Sequence, residues 1–203
     1  MLMRFRLITY LVALVALMSV VGCDEEDTVL TNQRNAIERY LTSSHDPRLQ
    51  SRKEAELSGH PYIYDVWGLN TYRYIATPDE AREGRAEVKR GDKVSLTFTA
   101  YIFTGGVPRN DAIYYTNVPE NIQYMVNQGM SDEYWTTDPL VIKLGSTNII
   151  SGLARALVGC REGDSVEVYM TYEAAYEKDA IGIVPKTSSV AWFFTIDSVE
   201  KGS

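Results

Sequence analysis

Cysteine, histidine and positive charge are all scarce in this sequence of 203 residues. It holds two cysteines and two histidines. Cys23 closes an apolar amino-terminal run, which leaves Cys160 without an internal disulfide partner. A lone cysteine among apolar residues reads as a small core side chain and not as a nucleophile. His45 and His60 stand far apart, and no His/Cys cluster has metal-ligand spacing, so no metal or other cofactor is expected. Lys and Arg number 20 against 27 Asp and Glu. Such a balance repels nucleic acid, and no basic patch argues otherwise. A membrane-spanning run is also missing, because the apolar stretch Leu7 to Val21 falls short of the roughly 20 residues a spanning helix needs. The length suits one domain with a signal and a tether, or at most two small domains.

What the amino terminus does contain is an address. Arg4 and Arg6 form a short positive region, the apolar run follows, and Gly22-Cys23 ends it. That order marks residues 1–22 as an export signal. Val20-Val21-Gly22-Cys23 resembles the bacterial lipobox, in which the cysteine sulfur is acylated and cleavage follows before it. The resemblance makes Cys23 the lipidation site and a lipid anchor the route to the membrane; an uncleaved anchor with a chance cysteine is the alternative. Removing 1–22 takes away two arginines and no acid, so the mature chain has 18 basic against 27 acidic groups and a net charge of −9. Asp24-Glu25-Glu26-Asp27 reads either as a solvated acidic spacer or as similar to the acidic export signal of Bacteroidota lipoproteins. The second reading places the protein on the outer membrane, facing the cell surface, with the periplasmic face as the alternative.

In the mature chain, residues 23–60 read as an acidic tether with a short helix capped at Thr31 or Asn32, carrying Ile37, Tyr40 and Leu41 on one face. Ser43 to Gly59 is polar, with Asp46-Pro47 and many charges, and reads as loop or tether. Residues 61–85 read as leader strands, with a strand pair between Tyr62 and Ile75. After Arg90-Gly91-Asp92 the pattern sharpens. Val94, Leu96, Phe98, Ala100 and Ile102 alternate with Ser95, Thr97, Thr99 and Tyr101, the signature of a half-buried strand. Leu140, Ile142 and Leu144 alternate again and stop at Gly145. Ile149, Ile150, Leu153 and Leu157 fall at helical spacing, with Gly159 to end the helix. Val166 to Tyr172 and Val190 to Ile196 mark two more strands. Several strands with one short helix predict an α+β domain, an antiparallel sheet wrapped on a helix.

Over residues 86–201 the chain resembles the FKBP-type peptidyl-prolyl isomerases. Four landmarks occur in that family's order. Gly91-Asp92-Lys93-Val94 with Leu96-Thr97-Phe98-Thr99 looks like its opening strand. Pro139 to Gly145, then Ile149-Ile150-Ser151-Gly152-Leu153, looks like the strand and helix entry that follow. Gly159 to Asp164 resembles a characteristic turn, and Ala174-Ala175-Tyr176 with Gly182-Ile183-Val184-Pro185 resembles the loop over the family's site. The leader 29–85 lies outside the match, and aromatic-rich leaders of this kind are similar to those of divergent gut Bacteroidales lipoproteins.

The resemblance implies a pocket for proline-containing polypeptides. In it Phe98 and Tyr114 are walls, Leu140 takes another wall position, and Ile149 and Ile150 line the rim, with the Ile150 N–H bonding a ligand carbonyl. Leu153 stands where the family has a floor Trp, Tyr176 keeps a hydroxyl donor, Ile183 packs the covering loop, and Trp192 forms the back wall. Tyr115 falls where the family has an Asp, so that carboxylate is missing. An insertion at 118–137, with Tyr124, Met125, Met130, Tyr134 and Trp135, is either a surface elaboration or a lid or partner surface. Three functions follow: an isomerase that helps exported proteins fold, a binding module without turnover in an outer-membrane or surface assembly, and glycan capture. The last is suggested only by 14 Tyr and 3 Trp, which suit strands equally well.

Overall fold

The structure, a computed structural model, describes residues 25–202. The expected signal 1–22 and the lipidation site Cys23 lie outside the described residues. The first described element is helix α1, residues 25–39, which runs into a π-helical turn at Tyr40–Ser44. It is longer than the short helix expected, and Thr31 and Asn32 lie inside it rather than capping it. Neither Gly nor Pro occurs between Glu25 and His45 to break it, and Leu30, Ile37 and Leu41 are buried along one face. Glu25, Glu26 and Asp27 are exposed on this helix. Full burial of a side chain such as Ile37 or Leu41 is worth about 1.5–3 kcal/mol, so this part of the expected tether is a docked element.

The polar run expected as loop holds strand β1 (Gln50–Ser51) and helix α2 (Arg52–Ser58). Ser51 and Glu54 form a reciprocal capping box, and Gly59 closes the helix in the left-handed conformation. Next come strands β2 (Ile63–Trp67) and β3 (Thr71–Ile75), the short helix α3 (Asp79–Arg82) and the long strand β4 (Lys93–Ile102). Strand β5 (Ile113–Thr116), helix α4 (Pro119–Asn127), strand β6 (Leu140–Lys143) and helix α5 (Ser151–Leu157) follow. Strands β7 (Ser165–Met170) and β8 (Val190–Glu200) complete the chain.

These strands form one eight-stranded sheet in the order β1-β2-β3-β7-β8-β4-β5, with β6 also on β4. Every pairing is antiparallel except β1 with β2. Strand alternation splits the sheet into two faces. Val166, Val168, Met170, Trp192, Phe194 and Ile196 join the cluster that includes Leu153 and Leu157 of α5. Tyr169, Ala191 and Phe193 point to the other side, where Ile37, Tyr40 and Leu41 cover them. The domain is therefore α+β, as the periodicity predicts. The leader also covers the face opposite α5.

Two polar devices hold the site region in place. Strand β4 pairs with β6 at Lys93–Leu96 and with β5 from Thr99 onward. Between them the buried Asn117 side chain accepts from the Phe98 N–H at 2.7 Å and donates to the Leu96 carbonyl at 2.9 Å. It thereby satisfies backbone groups that would otherwise lack a strand partner. On the far side, Arg73 of β3 donates to the carbonyls of Ala156 and Val158 at the end of α5, at 2.7 and 2.8 Å. Carbonyls at a helix end lack intrahelical backbone partners; that of Ala156 also accepts from the Cys160 thiol at 3.1 Å.

Candidate functional site

The cavity of interest, about 670 Å3, opens beside the start of α5. Its depth is made by Trp192 of β8 and Leu153 of α5, both almost fully buried. Ile149 and Ile150, just before α5, and Leu140 of β6 border it. Tyr115 of β5 forms a side wall, and the loop after β7 supplies Tyr176, Glu177, Asp179 and Ile181. Thr147, Asn148 and Ser151 add polar groups at the border, and an apolar floor with polar side chains around it is a common form of ligand site.

An aromatic stack supports the floor. Phe98 lies parallel to Trp192, with ring centroids 4.9 Å apart and planes 10° apart. Tyr115 meets both rings edge-on, at 4.8 Å from Phe98 and 6.2 Å from Trp192. Both geometries are favourable for ring quadrupoles. Strand register explains the stack: Phe98 and Ala100 on β4 sit opposite Phe194 and Trp192 on β8.

The polar groups form a short chain. Trp192 Nε1 donates to the Tyr114 hydroxyl at 2.7 Å, and the Tyr114 and Tyr176 hydroxyls are 3.1 Å apart. Burial, together with the neighbouring Tyr176, pushes the Tyr114 hydroxyl well above its ordinary pKa of 10. Burial also raises Tyr176, against a smaller lowering by the hydrogen bond from Tyr114. Both phenols therefore work as neutral hydroxyls. The Ile150 N–H has no hydrogen-bond partner among the described residues and lies on the cavity border.

Of the residues singled out in the sequence, Ile149, Ile150, Leu140, Leu153, Tyr176 and Trp192 come together around this cavity. Phe98 does not line it; the residue is 2% exposed and lies behind Trp192. Tyr114 does not line it either, and reaches it through its hydrogen bonds to Trp192 and Tyr176. Ile183 is 51% exposed and outside the lining. The chain pairs Ile181 with Val184 across a tight turn, which buries Val184, brings Ile181 to the mouth and leaves Ile183 outward. None of residues 118–137 lines the cavity; helix α4 of that insertion buries Met125 and anchors Asn121 to Thr99. In the sequence Tyr115 shows only as a lost carboxylate, and its place as a wall comes from the fold. The part of Asn117 likewise comes from the fold, since its polarity gives no hint of a buried role. Among the described residues no group of three or more His, Cys, Asp or Glu could hold a metal ion.

The lining holds no His or Cys; its hydroxyls are those of Tyr115, Thr147, Ser151 and Tyr176, and its carboxylates Glu177 and Asp179. These groups surround an aromatic floor, an aliphatic rim and the open Ile150 N–H. Residues 84–196 match the family described as FKBP-type peptidyl-prolyl cis-trans isomerase. Among solved structures the chain is similar to the N-terminal domain of FKBP42 from Arabidopsis thaliana, at 15% identity and a TM-score of 0.46, over 68% of this chain and 92% of that one. No curated protein matches the sequence.

Proposed function

We propose that this chain, which belongs to the FKBP-type peptidyl-prolyl cis-trans isomerase family, rotates X–Pro bonds in exported polypeptides while held at the cell envelope by lipid on Cys23. The observation that carries the reading is the cavity itself, floored by Trp192 and edged by Ile149, Ile150 and the Tyr176 hydroxyl. Rotation of an X–Pro bond meets a barrier of about 18–20 kcal/mol, set by amide resonance. A twisted imide has lost that resonance, and its carbonyl depends less on water. A site that excludes water and fits the twisted ring therefore favours it over either planar form. Trp192 and Leu153 supply the apolar floor for the proline. The Ile150 N–H and the Tyr176 hydroxyl orient the neighbouring carbonyls.

The envelope part of the proposal rests on the sequence before residue 25, from Arg4 to the lipobox-like Val20 to Cys23. Among the described residues no helix is long and apolar enough to cross a membrane. The lipobox-like Cys23 is the reason attachment through acyl chains is proposed. The acidic run 24–27 is the reason for placing the protein on the outer membrane facing outward.

A second reading, a binding module without turnover in an outer-membrane or surface assembly, is favoured by Tyr115 and Leu153. They stand where the resemblance leads one to expect a carboxylate and a Trp. A form starting at Asp24, offered a proline tetrapeptide, separates the two. Turnover that drops about tenfold in Tyr176→Phe, the loss of roughly one good hydrogen bond, supports the isomerase. Peptide binding with no turnover above background leaves the module. Protease treatment of intact cells tests the address, and full protection would move the protein to the periplasmic face.

A further inference from the structure

Three donors meet at the inner wall of the cavity with only one arrangement that satisfies them. The indole N–H of Trp192 can only donate, so at 2.7 Å the Tyr114 oxygen accepts. Tyr114 then has one hydrogen of its own. Its oxygen lies 3.1 Å from that of Tyr176, and no other partner of the Tyr114 hydroxyl occurs among the described residues. A buried hydroxyl hydrogen without an acceptor is costly, so Tyr114 donates to Tyr176. Tyr176 is thereby an acceptor on its inner side, and its own hydrogen is left to the cavity that it lines.

We infer that Trp192 and Tyr114 are positioning residues: they set the direction of the Tyr176 hydroxyl, so that it donates outward to a carbonyl of bound polypeptide. This rests on the reading that the cavity takes proline-containing chains. Were Tyr114 a Phe, nothing would compete for the Tyr176 hydrogen. Were Trp192 unable to donate, the Tyr114 oxygen would become a free acceptor and would draw that hydrogen away from the substrate. Polarity of the relay, and not only its presence, is what the indole provides. Trp192 thus does two things at once, offering its ring to the proline and its N–H to Tyr114.

The test uses the chain from Asp24 onward, which holds every described residue, and an Ala-Leu-Pro-Phe tetrapeptide as probe. Dissociation constants are measured for wild type, Trp192→Phe, Tyr114→Phe and the double variant. Trp192→Phe trims the floor equally in both backgrounds, so that contribution cancels in the cycle. The relay predicts that Trp192→Phe weakens binding by several-fold more when Tyr114 is present than when it is Phe. It also predicts that the Trp192 indole N–H signal in a nitrogen-15 spectrum moves upfield in Tyr114→Phe. The signals of Trp67 and Trp135 should stay in place and report an intact fold. Equal losses in the two backgrounds, or an indole signal unmoved by Tyr114→Phe, overturn the relay. Binding without turnover, with the cycle as predicted, sinks the isomerase reading and leaves the relay. A wild-type chain that binds no proline peptide overturns both.

Discussion

Gln33 of α1 accepts the backbone N–H of Tyr172 at 2.9 Å, and the same side-chain amide donates to the Thr187 carbonyl at 2.7 Å. One residue of the leader therefore clasps both ends of the loop that carries Tyr176 and Ile181. Lys178, within that loop, meets Glu26 of α1 at 2.5 Å. The leader helix thus touches the chain on either side of the cavity mouth. Replacing Gln33 by Ala removes both amide contacts, and the Tyr172 N–H loses its acceptor. The expected cost is about 1–2 kcal/mol of stability, with faster hydrogen exchange at the Tyr172 amide. If that amide exchanges at the wild-type rate, the clasp does not hold the loop.

Arg73 ties the leader to the site helix. It is 8% exposed, donates to Ala156 and Val158 at the end of α5, pairs with Asp65 at 2.9 Å and stacks over Trp67. Arg73→Met keeps the aliphatic stem but leaves two carbonyls and a carboxylate short of a partner. Breaking a buried ion pair from one side costs about 3–5 kcal/mol. Asp65 retains Arg52 at 2.7 Å, so the lower end of that range is expected in urea unfolding. An unchanged unfolding midpoint would show that α5 needs no support from the leader.

His45 should make stability depend on pH. Its Nδ1 lies 2.6 Å from the Pro47 carbonyl and its Nε2 2.9 Å from the Glu167 carboxylate. Both partners are acceptors, so the doubly protonated ring suits the site. Burial by itself lowers the His45 pKa, but the hydrogen bonds to Glu167 and Pro47 and the charges of Glu167 and Asp46 outweigh it and raise the value above 6.5. A pKa raised on folding contributes stability in full below about pH 6.5, and that stability is lost as pH climbs through the folded-state value. The urea midpoint should fall across that rise, and His45→Gln should flatten the fall. An equally steep fall in the variant would assign it to other groups.

Gly152 sits where α5 crosses the sheet. A Cβ built there would lie 2.6 Å from the Met170 sulfur and 2.8 Å from the Thr71 hydroxyl. Alanine suits a helix better than glycine by up to about 1 kcal/mol, but forcing a methyl into a full core costs about 1–3 kcal/mol. The clash should win, because Met170 and Thr71 are themselves fully buried. Gly152→Ala is expected to lower stability by about 1–2 kcal/mol in chemical unfolding and to weaken peptide binding as α5 shifts. A variant more stable than wild type would mean that the neighbours yield freely.

Period-two alternation made β4 and β8 readable, since each keeps one face in the α5 core, β8 from Val190 to Ile196, before the register shifts opposite Ser95 and Leu96. Helical spacing from Ile149 to Leu157 marked α5, though the helix begins only at Ser151, after both isoleucines. The leader was harder. The apolar face at Ile37, Tyr40 and Leu41 was legible, but Leu30 is set off from it by six mostly polar residues, so the length of the helix shows only when the sheet supplies a partner. Ser51 and Glu54 carried a capping-box signature in plain view, but the surrounding polar residues masked it.

The residues by themselves determined which side chains of the main strands face inward, the short helix beside the cavity and the family landmarks from Gly91 to Pro185. These are local patterns, set by alternation, turn chemistry and spacing along the chain. Which aromatic lines the cavity, and which stands behind it, was decided only by tertiary structure. Phe98 and Trp192 are equally apolar on paper. The β4–β8 register stacks one beneath the other, and the turn at Ile181–Val184 exchanges Ile183 for Ile181. The same holds for Trp192, Tyr114 and Tyr176, far apart in sequence, whose hydrogen bonds exist because three separate segments bring their polar atoms within hydrogen-bond distance.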